Sequence, residues 1–143
     1  MTDEQRRAVE RIVEAPVVED AALEERGHVF LARVDDGTEV IVKGLREEGK
    51  KRGDGDAGFY REWASLEHLT NAGVPVPRFV GGDHDVPVFV QSLLPAGHSL
   101  ADSLLGDDPV QATADLIAYA TTLATLNTVA PLNDQRSWRL DVV

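Results

Sequence analysis

The sequence predicts an α+β protein in which an antiparallel sheet with one packed helix precedes a connector and two further helices. Three observations carry this. Two β-branched runs, Val29-Phe30-Leu31-Ala32-Arg33-Val34 and Glu39-Val40-Ile41-Val42-Lys43, flank Asp36-Gly37, a strong hairpin signal. Phe59, Trp63, Leu66 and Leu69 follow the apolar spacing of an amphipathic helix. Strands and helices mix up to Gln91, whereas after Ser92-Leu93-Leu94-Pro95-Ala96-Gly97-His98 everything reads as helix. With 143 residues, 43% of them apolar, the chain can bury one sizeable core.

Taken in order, the first element is a helix over residues 3–14, with Thr2 and Gln5 spaced as a capping box and Ala8, Val9, Ile12 and Val13 as its stripe. Pro16 ends it, and Val17-Val18 opens a strand reaching towards Leu23. The link Glu24-Glu25-Arg26-Gly27-His28 offers one glycine; it reads as a plain turn or as a reduced phosphate-cradling loop. In the hairpin, with Asp36-Gly37 as the loop, Val34 faces Glu39, Ala32 faces Ile41 and Phe30 faces Lys43. Alternation places Ile41 and Lys43 on one face and Val40 and Val42 on the other.

A lysine among apolar neighbours on a sheet face needs an anion. Glu62 lies three residues after Phe59 and four before Leu66, on the apolar face of its helix, whereas Glu67 falls off it. An inward carboxylate is costly unless paired, so Lys43 and Glu62 are expected to form a salt bridge. The alternative is that Lys43 is a solvated strand-end lysine and Glu62 a surface residue.

Residues 44–58 are rich in glycine and mixed charge and read as a connecting loop, in which Lys50-Lys51-Arg52 beside Asp54 and Asp56 is a solvated run or a phosphate patch. The Glu62 helix runs to about Asn71 and is closed by Gly73. Val74-Pro75-Val76-Pro77 leads into a strand, Arg78-Phe79-Val80. Gly81 to Asp85 reads as a turn, and residues 86–91 as a returning strand. Ser99 with Asp102 caps a short helix over residues 100–105, stopped by Gly106. Asp108-Pro109 starts a longer one running to about Val129.

The net charge of −11 argues against non-specific nucleic-acid binding and against an anionic membrane surface. There is no cysteine, no signal-peptide pattern, no apolar run of membrane-spanning length and no metal-ligand spacing among His28, His68, His84 and His98. A soluble, cytoplasmic protein is the expectation.

The order of these elements resembles the aminoglycoside phosphotransferase and small-molecule kinase family, which shares the protein-kinase-like fold. The residues carrying the resemblance are Val40-Ile41-Val42-Lys43, Arg61-Glu62-Trp63-Ala64-Ser65-Leu66, Gly73-Val74-Pro75-Val76-Pro77-Arg78 and Ser99-Leu100-Ala101-Asp102, and it covers about residues 17 to 130. It implies a kinase-like first lobe over residues 1–91, a hinge over 92–98 and the first helices of an incomplete second lobe over 99–143. Lys43 would contact the α- and β-phosphates of ATP, with Glu62 holding its side chain. Ile41 would lie against the adenine ring. Gln91, Ser92 and Leu93 would offer hinge backbone to the adenine edge, and Gly27, His28 and Val29 would form the reduced phosphate-covering loop. ATP with magnesium is the cofactor implied.

The family's His-x-Asp-x-x-x-x-Asn loop and later aspartate are absent, so no catalytic or metal-binding residue is assigned, and this chain alone is expected to be inactive. A small-molecule substrate would bind only if a second lobe were supplied. Asn127 stands where relatives often have histidine. Without that lobe the apolar positions of the 109–129 helix would be bare, which invites self-association. Two further readings stand beside this one: a non-catalytic nucleotide-binding or interaction module, and an unrelated α+β binding domain.

Overall fold

The computed structural model describes residues 1–23, 28–45, 55–94, 97 and 99–129. In chain order the elements are α1 (Asp3–Val13), β1 (Val17–Ala22), β2 (Val29–Val34), β3 (Glu39–Gly44), α2 (Gly55–Asn71), β4 (Phe79–Asp83), β5 (Val88–Ser92), α3 (Leu100–Leu105) and α4 (Pro109–Thr128). The strands form one antiparallel sheet in the order β1-β2-β3-β5-β4. The α+β class expected from the sequence is therefore observed. No helix among the described residues is long and apolar enough to cross a membrane.

Two helices cover the sheet, one on each face, where only one packed helix was expected. Ala8 and Val9 of α1 are fully buried against Val17, Phe30, Ala32, Val34, Val40, Val42, Val88 and Val90. On the opposite face Trp63 of α2 meets Phe79 and Phe89. The inner strands are thus covered twice, and Val88, Phe89 and Val90 have no exposed surface at all. The destination of α1 was not readable because its stripe states that it must be buried but not against which strand. Polar ties fix it: Arg6 reaches the Val17 carbonyl (2.8 Å) and the Asp20 carboxylate on β1, and Arg11 reaches Asp83 on β4 (2.6 Å). The Thr2–Gln5 capping box forms as expected, and Glu14 closes the helix in the left-handed region at φ 57°.

The β2–β3 hairpin forms with a register one residue away from expectation. Val29 faces Lys43, Leu31 faces Ile41 and Arg33 faces Glu39. The loop is Asp35-Asp36-Gly37, closed by Gly37 N–H donating to the Val34 carbonyl (3.0 Å) and Val34 N–H to that of Thr38 (2.9 Å). Gly37 alone takes positive φ, 86°, which fits a three-residue loop with its glycine in the left-handed position rather than a two-residue type I′ turn. Asp36 accepts from Thr38 N–H (2.8 Å), and this bond, with the Thr38 side chain, holds its carboxyl below the ordinary aspartate range. The shift matters because it puts Phe30, Ala32, Val34, Val40 and Val42 together on the α1 face.

Three boundaries differ from the sequence reading. α2 starts at Gly55, inside the stretch read as loop; residues 46–54, including the basic triplet, lie outside the described residues. Gly81, Gly82 and Asp83 belong to β4, not to a turn, and the turn is displaced to residues 84–87, so that β5 begins at Val88 instead of Val86. Asp83 organises that turn by accepting from Asp85 N–H and Val86 N–H, both at 3.0 Å. The Val86 bond, followed by the Arg11 guanidinium, holds its carboxyl below the ordinary value of 3.8.

The end of α2 agrees with expectation. Gly73, at φ 71°, donates to Thr70 O (3.0 Å), and Val74 N–H reaches back to Leu69 O (3.0 Å). This is a Schellman motif with a buried valine after the glycine, the usual apolar seal. α3 carries the Ser99–Asp102 capping box, and Asp108 Oδ1 accepts from Val110 and Gln111 N–H (both 3.0 Å) to start α4. α3 and α4 are joined by Ser103, which is buried and donates to the Asp115 carboxylate.

Candidate functional site

The candidate site lies on the α2 face of the sheet. β3 and its neighbours bring Lys43 between Val29 of β2 and Phe89 of β5, and Ile41 between Leu31 and Gln91. The Lys43 ammonium donates to the Glu62 carboxylate, so strand lysine and helix glutamate meet as expected from their spacing. On its other side the ammonium lies 5.9 Å from the centroid of the Phe89 ring, within cation–π reach. Phe89 was missed by sequence reasoning. It becomes a neighbour of Lys43 only through the β3–β5 pairing, which no local signal encodes. Leu31 was missed for a related reason, since the register expected from the sequence put Ala32 opposite Ile41.

Glu62 does not point inward among apolar side chains. Its side chain is 51% exposed and that of Lys43 24% exposed, so the pair sits at the rim between helix and sheet. Glu67, placed off the apolar face by spacing, is the more covered of the two glutamates. The cause is that Trp63 and Ala64, buried at 3% and 5%, define the contact line of α2 and turn Glu62 to its edge. An ion pair this exposed contributes only about 0–1 kcal/mol to stability, so its presence is not explained by folding energetics.

Ile41 is 8% exposed and shares the Lys43 face, where Leu31, Val29 and Gln91 flank it. This gives a cation with a carboxylate behind it at one end of an apolar strip. His28 leads into β2, and its carbonyl accepts from Gly44 N–H (2.8 Å). Gly27 lies outside the described residues.

The proposed hinge residues divide. Gln91 and Ser92 are strand residues of β5. The N–H of Ser92 donates to Arg78 O (2.8 Å), and its hydroxyl oxygen accepts from Arg78 N–H (2.9 Å), so both groups are committed within the sheet. Leu93 is the first exposed residue after the strand.

Among the described residues no group of three or more histidine, aspartate or glutamate side chains converges as a metal site. The polar groups on this face are one ammonium, on Lys43, and the carboxylate it pairs with, on Glu62. The aspartates with depressed pKa, Asp36 and Asp83, cap turns and lie outside this face. Comparison with protein-family models, curated proteins and solved structures returned no match.

Proposed function

We propose that this chain supplies the nucleotide-binding lobe of an ATP-dependent small-molecule phosphotransferase of the aminoglycoside phosphotransferase-like kind. The observation that carries the reading is the pairing of a lysine on β3 with a glutamate on the helix between β3 and β4. Protein kinases use that combination to place a lysine against nucleotide phosphates. Lys43 is the phosphate contact and Glu62 its positioning partner. Ile41, Leu31 and Val29 supply an apolar strip of the kind that takes a flat purine. Within these 143 residues neither the His-x-Asp-x-x-x-x-Asn loop nor its later aspartate occurs, so the activity proposed for this chain is binding, with the transfer chemistry requiring further groups.

Titration calorimetry with ATP, with and without magnesium, tests it. The expected result is weak binding, with little gain from magnesium, and a loss of about tenfold or more in Lys43→Ala, because a charge-assisted hydrogen bond is worth about 1.5–3 kcal/mol. Sub-micromolar binding that Lys43→Ala leaves intact would place the nucleotide elsewhere, and no binding at any concentration would end the reading. Exposure along α4 favours a second, compatible role as an interaction module: Val110, Ile117 and Tyr119 are 78%, 62% and 51% exposed.

A further inference from the structure

Two adjacent glycines in β4 face opposite sides of the sheet, and each marks a close approach. A Cβ at Gly81 would stand 2.7 Å from Ile12 Cγ2 of α1, on one face. A Cβ at Gly82 would stand 2.0, 2.5 and 2.6 Å from Cζ2, Cη2 and Cε2 of the Trp63 indole, on the other. Neither glycine takes positive φ. The backbone at 82 accepts any residue, and space alone demands glycine there.

The indole cannot step aside. Trp63 is 3% exposed, with His84 stacked on it at 4.3 Å and 12°, and Phe59, Phe89 and Phe79 at 6.0, 6.0 and 6.2 Å. The strand has little room to retreat either, since α1 closes on the neighbouring Gly81 from behind. What yields to a side chain at 82 is α2. Restoring an ordinary contact of ~3.5 Å from 2.0 Å moves the helix outward by roughly 1.5 Å. Glu62 precedes Trp63 directly and would move with it. The Lys43 ammonium, held over Phe89, would have to leave that ring to follow.

We propose that Gly82 is a positioning residue for the Lys43–Glu62 pair: the missing Cβ lets Trp63 seat on β4 and so sets the distance of α2 from β3. The helix is pinned by this contact, and the ion pair is a consequence of the seat. The functional weight of this inference rests on the phosphotransferase reading, but its geometry does not.

Amine acylation by N-hydroxysuccinimidyl acetate, followed residue by residue by mass spectrometry, reads the pair without nucleotide. Lys50 and Lys51 serve as internal references. In Gly82→Ala the acylation rate of Lys43 should rise towards that of Glu62→Gln, while Gly81→Ala, which presses on α1, should lose stability yet keep Lys43 protected. Trp63→Phe removes Cζ2 and Cη2, the two closest ring atoms, so Gly82→Ala/Trp63→Phe should recover protection. A folded Gly82→Ala with Lys43 as protected as in the parent would overturn the proposal. If Gly82→Ala does not fold, the double variant decides: Lys43 protected supports the seat, and Lys43 reactive refutes it. ATP titration of the same proteins separates the two ideas, because protection can respond as expected even in a chain that binds no nucleotide.

Discussion

Individual carboxylates in this chain do different work according to what donates to them. Glu62 accepts from an ammonium at a rim where solvent competes, and contributes little to stability. Asp83 is the opposite case, since it caps the β4–β5 turn through Val86 and Asp85 and holds Arg11 of α1. Its folded pKa lies below the ordinary 3.8, so its contribution is present above that value and is lost as pH falls through the lower folded value. Asp83→Ala should therefore lower stability at pH 7, and the gap to the parent should be smaller at a pH well below 3.8. Chemical denaturation at both pH values measures this; a gap of equal size at both would show that the charge is irrelevant. The short-range features of these residues were legible in the sequence. Thr2 and Gln5, Ser99 and Asp102, Asp108 and Gly73 all announced themselves because a cap is decided within four residues of chain.

Among the elements, α4 is the outlier. From Leu116 to Val129 it carries no charged residue, and none of its side chains is buried. Thr113, Thr121, Thr122 and Thr125 each return their hydroxyl to the carbonyl four residues back, and Thr128 to that of Thr125, so these polar groups need no outside partner. Such a helix can be covered on several sides without stranding a hydroxyl. Leu116, Ile117 and Leu123 remain 47%, 62% and 41% exposed. Self-association through α4 is the expected behaviour, visible as a concentration-dependent mass in light scattering and abolished in Ile117→Glu. A strictly monomeric parent would exclude it. Elements whose meaning depends on a distant partner were the ones misread. Gly81-Gly82 punctuates a sequence identically whether it makes a turn or clears space for Ile12 and Trp63. The hairpin strands were legible, but their register hung on whether Asp36-Gly37 was the whole loop or its last two residues.

At the scale of the whole molecule, α1 runs from one edge strand of the sheet to the other and seals the face that the hairpin leaves open. That architecture has a history written into it, because the chain is made from its first residue onward. The Arg11–Asp83 bond joins groups 72 positions apart, and Val88 and Val90, the β5 valines that bury Val9, are synthesised later still. Closing a loop of that length costs about 4 kcal/mol beyond a constant, and nothing compensates until β5 and β4 exist. Until then the nascent helix has only β1 and the hairpin to pack on, so the part of its apolar stripe that β4 and β5 will cover stays bare, prey to proteases and to other unfinished chains. Ribosome-bound chains arrested with 80 residues released should therefore be digested at the rate of an unstructured peptide, and those with about 95 released should resist. Resistance appearing as soon as β3 emerges would mean that the hairpin and α1 hold together unaided. The expected behaviour is a single late event, in which the oldest helix of the chain finds its place only when the youngest strand of the sheet arrives.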